Sequence, residues 1–341
     1  MAFRRRIGYG LRPMAFTFCG VELPNPFFLA PMAGVTNRSF RTIALELGAG
    51  LVFTEMVSAA GLARGDRKTL RLLPSPAEAP RVGIQLFGGR PDDMRAATLV
   101  ANTLDVPFID VNFGCPARKI VRSGCGVAIM REPARVRAIL DAVCSVATKP
   151  VLAKIRAGWD DNERNAVEIA RIARDCGVAA VTVHGRTGKQ CFTGLADWGV
   201  IRDVAADGAL PVVGNGDLIT PQRAVQALGD AECAAVMIGR GAYGNPWLFR
   251  ESAALLSGAP VPGPDAAELG RIMARHLALS IEEFGPVHGV HTMRRHLIWY
   301  VRGRAGAHEF RRRVVRLEDP EQVLREIEAF LAGASRADAG G

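Results

Sequence analysis

The sequence predicts an α/β protein: a (β/α)8 TIM barrel followed by a small C-terminal all-helical domain. Three observations carry that expectation. Eight short apolar runs alternate with longer amphipathic segments over about 240 residues, close to the ~250 that such a barrel needs. Polar residues collect at the C-terminal ends of those runs while the interiors stay apolar. Beyond Phe249 the alternation stops and only helical patterns follow. With 341 residues and 49% hydrophobic content, the chain can bury a large core and still carry an accessory domain.

The apolar runs are Phe27–Ala30, Leu51–Thr54, Arg81–Leu86, Phe108–Asn112, Val151–Ile155, Ala180–His184, Pro211–Asn215 and Ala235–Gly239. Each is short and bounded by Gly, Pro or polar residues, as parallel strands covered on both faces should be. Helical periodicity marks Ser39–Leu47, Asp92–Thr103, Pro133–Ala147, Arg164–Cys176 and Pro221–Leu228. Pro133 and Pro221 stand where helices favour proline, at the first turn. Ser58–Leu70 and Trp198–Ala205 are less regular. An open doubly wound sheet is the alternative, but the first run ends in Ala30-Pro31-Met32-Ala33-Gly34 and no glycine-rich dinucleotide fingerprint follows it.

These elements divide the chain into a basic extension at 1–13, a barrel at 14–258, a Gly/Pro-rich linker at 259–264, a helical domain at 265–332 and a disordered tail at 333–341. The helical patterns are Ala266–Phe284, Val290–Arg302 and Glu321–Leu331. From Arg294 to Arg316 eight arginines face Glu309 alone, eight minus one or +7, with Trp299, Tyr300 and Phe310 among them. Such a run is either a solvated helix face or a contact for a polyanion. The whole chain carries +9, which favours a polyanionic partner without choosing one.

Seven scattered cysteines with no C-x-x-C pair argue for reduced thiols and against a metal site. No apolar run follows the basic N-terminus, and none approaches the ~20 residues needed to span a bilayer. The chain therefore reads as a cytoplasmic protein with no membrane partner and no metal, and as a monomer.

In a barrel, catalysis sits at the C-terminal ends of the strands. Those ends hold Pro31 and Met32, Thr54 and Glu55, Gln85, Asn112 and Cys115, Lys154, His184 and Arg186, Asn215 and Asp217, and Gly239 and Arg240. The Asn-Gly-Asp at Asn215, Gly216 and Asp217 and the Gly-Arg-Gly at Gly239, Arg240 and Gly241 end the last two strands, where barrels commonly bind phosphate. Asp217 itself suits turn organisation better than anion binding. A lysine in an apolar strand is costly unless it meets a polar cavity, so Lys154 and Gln85 suggest hydrogen bonds to a flat polar ring. Flavin mononucleotide (FMN) has such a ring and one phosphate, and it supplies hydride chemistry that side chains cannot.

Cys115 lies in a tight Gly114-Cys115-Pro116 turn, with Arg118 and Lys119 directly after it. A nucleophile would need an activated thiolate. A general acid needs the thiol, which an ordinary pKa of about 8.5 preserves at neutral pH. Beside a hydride donor, an acid completes the reduction of a polarised C=C bond. Cys125, in the glycine-rich segment that follows, is a second candidate for that role. His184 could orient a carbonyl, contact phosphate or be structural.

The chain resembles the tRNA-dihydrouridine synthase family, nearest its bacterial B-type branch. The residues that carry the likeness are APMAGVTNRSFR (30–41), TEMVSAAGL (54–62), IDVNFGCPARKIVR (109–122), KIRAGWDD (154–161), TVHGRTGKQCFTGLADW (182–198), NGDL (215–218) and IGRGAYGNPWLF (238–249). HLIWYVRG (296–303) and EFRRRVVRLEDPEQ (309–322) are similar to that family's helical tRNA-binding domain. The resemblance implies FMN held by Pro31, Met32, Ala33, Gln85, Lys154, His184, Asn215, Gly216, Asp217, Gly239 and Arg240. It implies reduction of the flavin by NADPH (or NADH), hydride transfer to C6 of a D-loop uridine, at position 17 in B-type relatives, and a proton from Cys115 to C5.

Asn112 would face the uracil, with Arg186, Arg118, Lys119, Arg311, Arg312 and Arg313 as further tRNA contacts. Cys125 departs from the family's small residue there, and the Arg-rich start lies outside the match. Two rivals remain: a flavin dehydrogenase of a free pyrimidine, of the dihydroorotate type, and a tRNA-binding module without catalysis.

Overall fold

Eight parallel strands, one from each apolar run, close into a (β/α)8 barrel in the computed structural model, which describes residues 16–75, 78, 80–260 and 263–338. They are β1 (Phe27–Leu29), β2 (Val52–Phe53), β3 (Val82–Phe87), β4 (Ile109–Asn112), β5 (Val151–Arg156), β6 (Ala180–His184), β7 (Val212–Asn215) and β8 (Ala235–Ile238). Each pairs with its sequence neighbour from β2 to β8, and β8 pairs with β1. A bridge between Phe28 and Leu51 closes the ring, with the Leu29 amide donating to the Leu51 carbonyl at 2.8 Å. The extension at 1–13 lies outside the described residues.

Helices follow the strands in turn: α1 (Arg38–Glu46), α2 (Ala59–Ala63), α3 (Pro91–Asn102), α4 (Pro133–Cys144), α5 (Ala166–Asp175), α6 (Trp198–Ala206), α7 (Pro221–Asp230) and α8 (Leu248–Leu256). Local chemistry sets their starts. Asn37, Asp197 and Thr220 accept hydrogen bonds from first-turn amides, and proline opens α3, α4 and α7. The irregular stretch after β2 is two short helices, Ala59–Ala63 and Arg67–Leu70, capped by Ser58 and Asp66. The segment from Trp198 is a regular helix, contrary to its weak pattern.

The period of two along a strand organises the barrel interior. Low in the barrel, inward residues Phe28, Phe53, Phe108, Leu152, Ala180, Val213 and Met237 form one apolar floor. One or two inward positions further along stand Asp110 and Asn112 on β4, Lys154 and Arg156 on β5, His184 on β6 and Asn215 on β7. A short hairpin that precedes β1, Phe16–Phe18 and Val21–Leu23, plugs the floor from outside. Phe18 meets Phe28 and Phe108 edge-on at ring distances of 5.3 and 5.7 Å. Its two-residue turn, Cys19 at φ +48° and Gly20 at φ +81°, has the twist that joins antiparallel strands tightly.

Four helices complete the chain: α9 (Ala266–Phe284), α10 (Pro286–Tyr300), α11 (Ala307–Val314) and α12 (Pro320–Asp338). The last runs six residues past 332, so 333–338 is helical rather than a disordered tail; α11 had no separate pattern in the sequence. Their core, which includes Met273, Leu277, Val290, Leu297, Phe310 and Ile327, also takes in Ile43 from α1, Leu47 just after it, and Trp247. Polar links join the same surfaces. Glu283 accepts from the Arg38 and Ser39 amides that open α1, at 3.1 and 2.8 Å, and Arg275 pairs with Glu46 at 2.9 Å. No helix among the described residues is long and apolar enough to cross a membrane.

Barrel and C-terminal helices approach closely at Gly244. It sits at φ +70°, and a Cβ there would lie 2.2 Å from the Trp299 carbonyl oxygen. Beside it, Tyr243 and Trp299 stack with centroids 4.1 Å apart. Gly244→Ala is expected to lower stability by about 2–4 kcal/mol, from overpacking and a left-handed backbone. Urea unfolding monitored by tryptophan fluorescence measures it, and an unchanged midpoint would show that the two parts do not depend on this contact.

Candidate active site

Strand β4 ends in Asn112, and the chain then turns sharply through Gly114, Cys115 and Pro116 into a short helix, Arg118–Arg122. The Asn112 Oδ1 accepts from the amides of Gly114 and Cys115, at 3.2 and 3.0 Å, and so shapes that turn. From the other side, the buried guanidinium of Arg156 donates to the Gly114 carbonyl at 2.7 Å. Gly126 must be glycine here: its φ is +63°, and a Cβ would fall 2.5 Å from the Cys115 carbonyl oxygen. Cys115 is partly exposed, and burial of its sulfur pushes the thiol's pKa above that of an ordinary cysteine. Cys125 is buried, with its sulfur 3.6 Å from the Ser123 carbonyl and close beside Gly89, in a packing role.

Behind the turn runs a chain of side-chain hydrogen bonds. Asn112 Nδ2 donates to Gln85 Oε1 at 3.0 Å, and Gln85 Nε2 donates to Asp110 Oδ2 at 2.6 Å. Gln85 is anchored by its amide, which donates to Thr54 Oγ1 at 3.0 Å. Asp110 is 1% exposed, Gln85 0% and Asn112 6%. Burial raises the Asp110 carboxyl to about 7, partly opposed by the Gln85 hydrogen bond and the Lys154 charge. Burial lowers Lys154 to about 8, and the Asp110 charge resists that shift.

Lys154 donates to Asn215 Oδ1 at 3.0 Å, and Asn215 in turn donates to the Met237 carbonyl at 2.7 Å. One hydrogen bond leaves an ammonium with further donors to offer. His184 stands across the same interior. Burial, reinforced by Lys154, Arg156, Arg186 and Arg240, pushes it down to about 2, so the ring is neutral, and its buried Nδ1 has no partner. Four cations against Asp110 and Asp217 give the mouth of the barrel a positive field.

The loops after β6, β7 and β8 are knitted together by Asp217, at φ +52°. Burial tends to raise its carboxyl, but the Ala196 amide and Arg186 outweigh this and leave it below the usual range. Arg186 pairs with it at 2.8 Å and Arg240 at 3.4 Å. Gly216 sits where a Cβ would meet that of Ala196 at 2.4 Å, and Gly239 lies beside Ala30 and Met32. Pro31, Met32 and Ala33 form the turn after β1, which Thr36 closes by accepting from the Met32 amide at 2.9 Å. Arg295, from α10, donates to the Gly34 carbonyl of that turn at 2.8 Å.

The structure thus gathers Pro31, Met32, Ala33, Gln85, Cys115, Lys154, His184, Asn215, Gly216, Gly239 and Arg240 around one mouth. Two expected outward contacts are directed elsewhere. Asn112 has both polar atoms engaged within the protein, because its neighbours are the turn amides and Gln85. Arg186 is 1% exposed and serves the Thr193 and Gly194 carbonyls and Asp217; only its buried Nη1 has no partner. Asp110 and Arg156 were not singled out from the sequence, although both stand two residues from a chosen position and so share its face.

The unpartnered His184 Nδ1 and the spare donors of Lys154 suit a planar ring with polar edges, and the positive loops suit an anion. Among the described residues no group of His, Cys, Asp and Glu is placed to hold a metal ion.

Arg118 and Lys119 are exposed beside the Cys115 turn. On α11, Arg312 and Arg313 pair with Glu309, and Arg313 also with Glu326. Arg311 is partly buried with its Nε unpartnered. Among the described residues Arg302, Arg304 and Arg316 are exposed and form no ion pair.

The family model described as dihydrouridine synthase (Dus) matches residues 28–335. Proteins named tRNA-dihydrouridine synthase B are similar along most of their length. That of Xanthomonas campestris is 41% identical over 87% of this chain and 90% of its own. Those of Proteus vulgaris and Pseudomonas aeruginosa are each 38% identical over 91% of this chain, covering 96% and 94% of their own. With the family model matched over residues 28–335 and relatives 38–41% identical across most of the chain, the chain belongs to the dihydrouridine synthase family.

Proposed function

We propose that the protein is a tRNA-dihydrouridine synthase that reduces a D-loop uridine, position 17 by its B-type likeness, to 5,6-dihydrouridine in the cytoplasm. The observation that carries the reading is a thiol, Cys115, held on a hydrogen-bonded turn at the rim of a cation-lined barrel mouth. FMN suits that mouth: Lys154 and His184 would meet its ring, with Gln85 behind them in the hydrogen-bond chain from Asn112 to Asp110, while Gly216, Gly239 and Arg240 would meet its phosphate. When bound it supplies the hydride for uracil C6, with electrons from NADPH or NADH.

The residues of this chain do the rest. Cys115 gives its proton to C5, which completes addition across the C5=C6 bond, and recovers a proton from solvent. The raised thiol pKa keeps the acid loaded at neutral pH, where a depressed one would favour a nucleophile. The target base must leave its stack to reach the mouth, at a cost of a few kcal/mol. Arg118 and Lys119 at the rim, and Arg302, Arg304, Arg311, Arg312, Arg313 and Arg316 on the helical domain, would hold the folded RNA by its backbone and shape.

Cys115→Ala is expected to retain yellow flavin and tRNA affinity while dihydrouridine formation falls at least a hundredfold, within the usual range for a lost general acid. Mass mapping of dihydrouridine in tRNA decides this, and normal product from the variant would overturn the assignment. A separate expectation concerns pH. Because burial raises the thiol pKa, alkylation of Cys115 by iodoacetamide should be slow at neutral pH with a midpoint above that of an ordinary thiol; a midpoint below it would make Cys115 a nucleophile. Reversing Arg302, Arg304 and Arg316 to Glu should weaken tRNA binding at least tenfold and lower its salt slope by about two to three, with flavin absorbance retained. Unchanged affinity would return that surface to ordinary solvent exposure.

A further inference from the structure

We propose that Asp110 is a positioning residue: its buried carboxylate fixes, through Gln85 and Asn112, the direction of the hydrogen bonds that hold the Cys115 turn. The inference rests on the reading of Cys115 as the acid, but its structural part can be tested without the reaction.

A backbone amide only donates, a side-chain amide has one end of each kind, and the Asp110 oxygen that faces Gln85 accepts. At 2.6 Å, Asp110 requires the NH2 of Gln85 to face it. That leaves Gln85 Oε1 for Asn112, which must therefore present its own NH2. Asn112 Oδ1 is then left for the amides of Gly114 and Cys115. No other order of these groups satisfies every pair. All three side chains are at least 94% buried, so water cannot stand in for a missing partner. A flip of either amide would set donor against donor, and a polar group left unpaired in such a place costs about 1–3 kcal/mol.

Why the terminal acceptor is a carboxylate rather than an amide follows from its neighbour. Asp110 Oδ1 has no hydrogen-bond partner, and the opposite charge of Lys154 acts on the carboxylate. Burial costs both charges, and each offsets part of that cost for the other. One side chain therefore has two separable effects. As an acceptor it orders the turn, and as a charge it helps to keep Lys154 protonated. Removal of the acceptor should loosen the turn; removal of the charge alone should leave the turn ordered and change the titration of Lys154.

Two substitutions at one position separate these effects. Asp110→Leu removes acceptor and charge, whereas Asp110→Asn keeps an oxygen that can accept from Gln85. Deuterium uptake by peptides spanning 113–117 should rise at least tenfold in Asp110→Leu, with β6 and β8 peptides unchanged, and should return near the original rate in Asp110→Asn. In Asp110→Asn the titration of Lys154, followed by pH-dependent acylation of its amine and peptide mass mapping, should move down by about one unit, since an opposite charge is lost.

If Asp110→Leu does not fold, Gln85→Leu cuts the same chain at its next link and must open the same turn. Turn protection equal to the original in the leucine variants, or loosening spread evenly over the barrel, would overturn the proposal. An unmoved Lys154 titration in Asp110→Asn would overturn its electrostatic half. Failure of the acid reading shows differently, as dihydrouridine made by Cys115→Ala while the exchange pattern of the Asp110 variants stands.

Discussion

Every second residue of a barrel strand points at the axis, and that constraint turns scattered polar residues of this chain into one layer. Phe108, Asp110 and Asn112 follow each other up the inner face of β4, and Leu152, Lys154 and Arg156 up that of β5. The first of each triplet belongs to the apolar floor, and the later ones rise into the mouth. A polar residue shifted by one position would point into the helix layer, among side chains with no group to receive it. The active-site polarity is therefore a matter of register before it is a matter of chemistry.

The layer is stable because its charges and amides answer one another. Asp110, Gln85, Asn112 and the turn form one chain, while Lys154 and Asn215 form another that ends on the Met237 carbonyl. Arg156 ties the Cys115 turn to the loop after β6 through the Gly114, Thr187 and Cys191 carbonyls. What these pairings leave over is informative. The unpartnered nitrogen of neutral His184 and the remaining protons of Lys154 face a space whose field is positive, where a polar ring with an anionic tail would complete them.

The helical domain is built into this arrangement rather than hung from a linker. Its core shares Ile43 of α1 and Leu47 just after it, Glu283 caps the start of that helix, and Arg295 holds the turn after β1. The same turn carries Pro31, Met32 and Ala33. A surface proposed to hold RNA and a loop proposed to hold the cofactor are thus joined by direct contacts.

Much of the fold was legible from local pattern. All eight strands fall within a residue or two of the apolar runs, because a strand covered on both faces must be apolar and must end at turn residues. Pro133 and Pro221 open helices as their fixed φ dictates. The hairpin at Phe16–Leu23 and helix Ala307–Val314 were not legible, being too short or too charged for periodicity to show.

The site divides in the same way. Cys115 in its turn, Lys154 in an apolar strand and the glycines after β7 and β8 are local signals, and the sequence by itself determined them along with the family. Only the tertiary structure decided that Asn112 and Arg186 point inward, that Glu326 shares the charge of Arg313, and that Asp110 terminates the hydrogen-bond chain behind the thiol. Each of these depends on a partner brought in from another strand, loop or helix. Which donor meets which acceptor is set by packing in three dimensions, and no spacing along one chain encodes it.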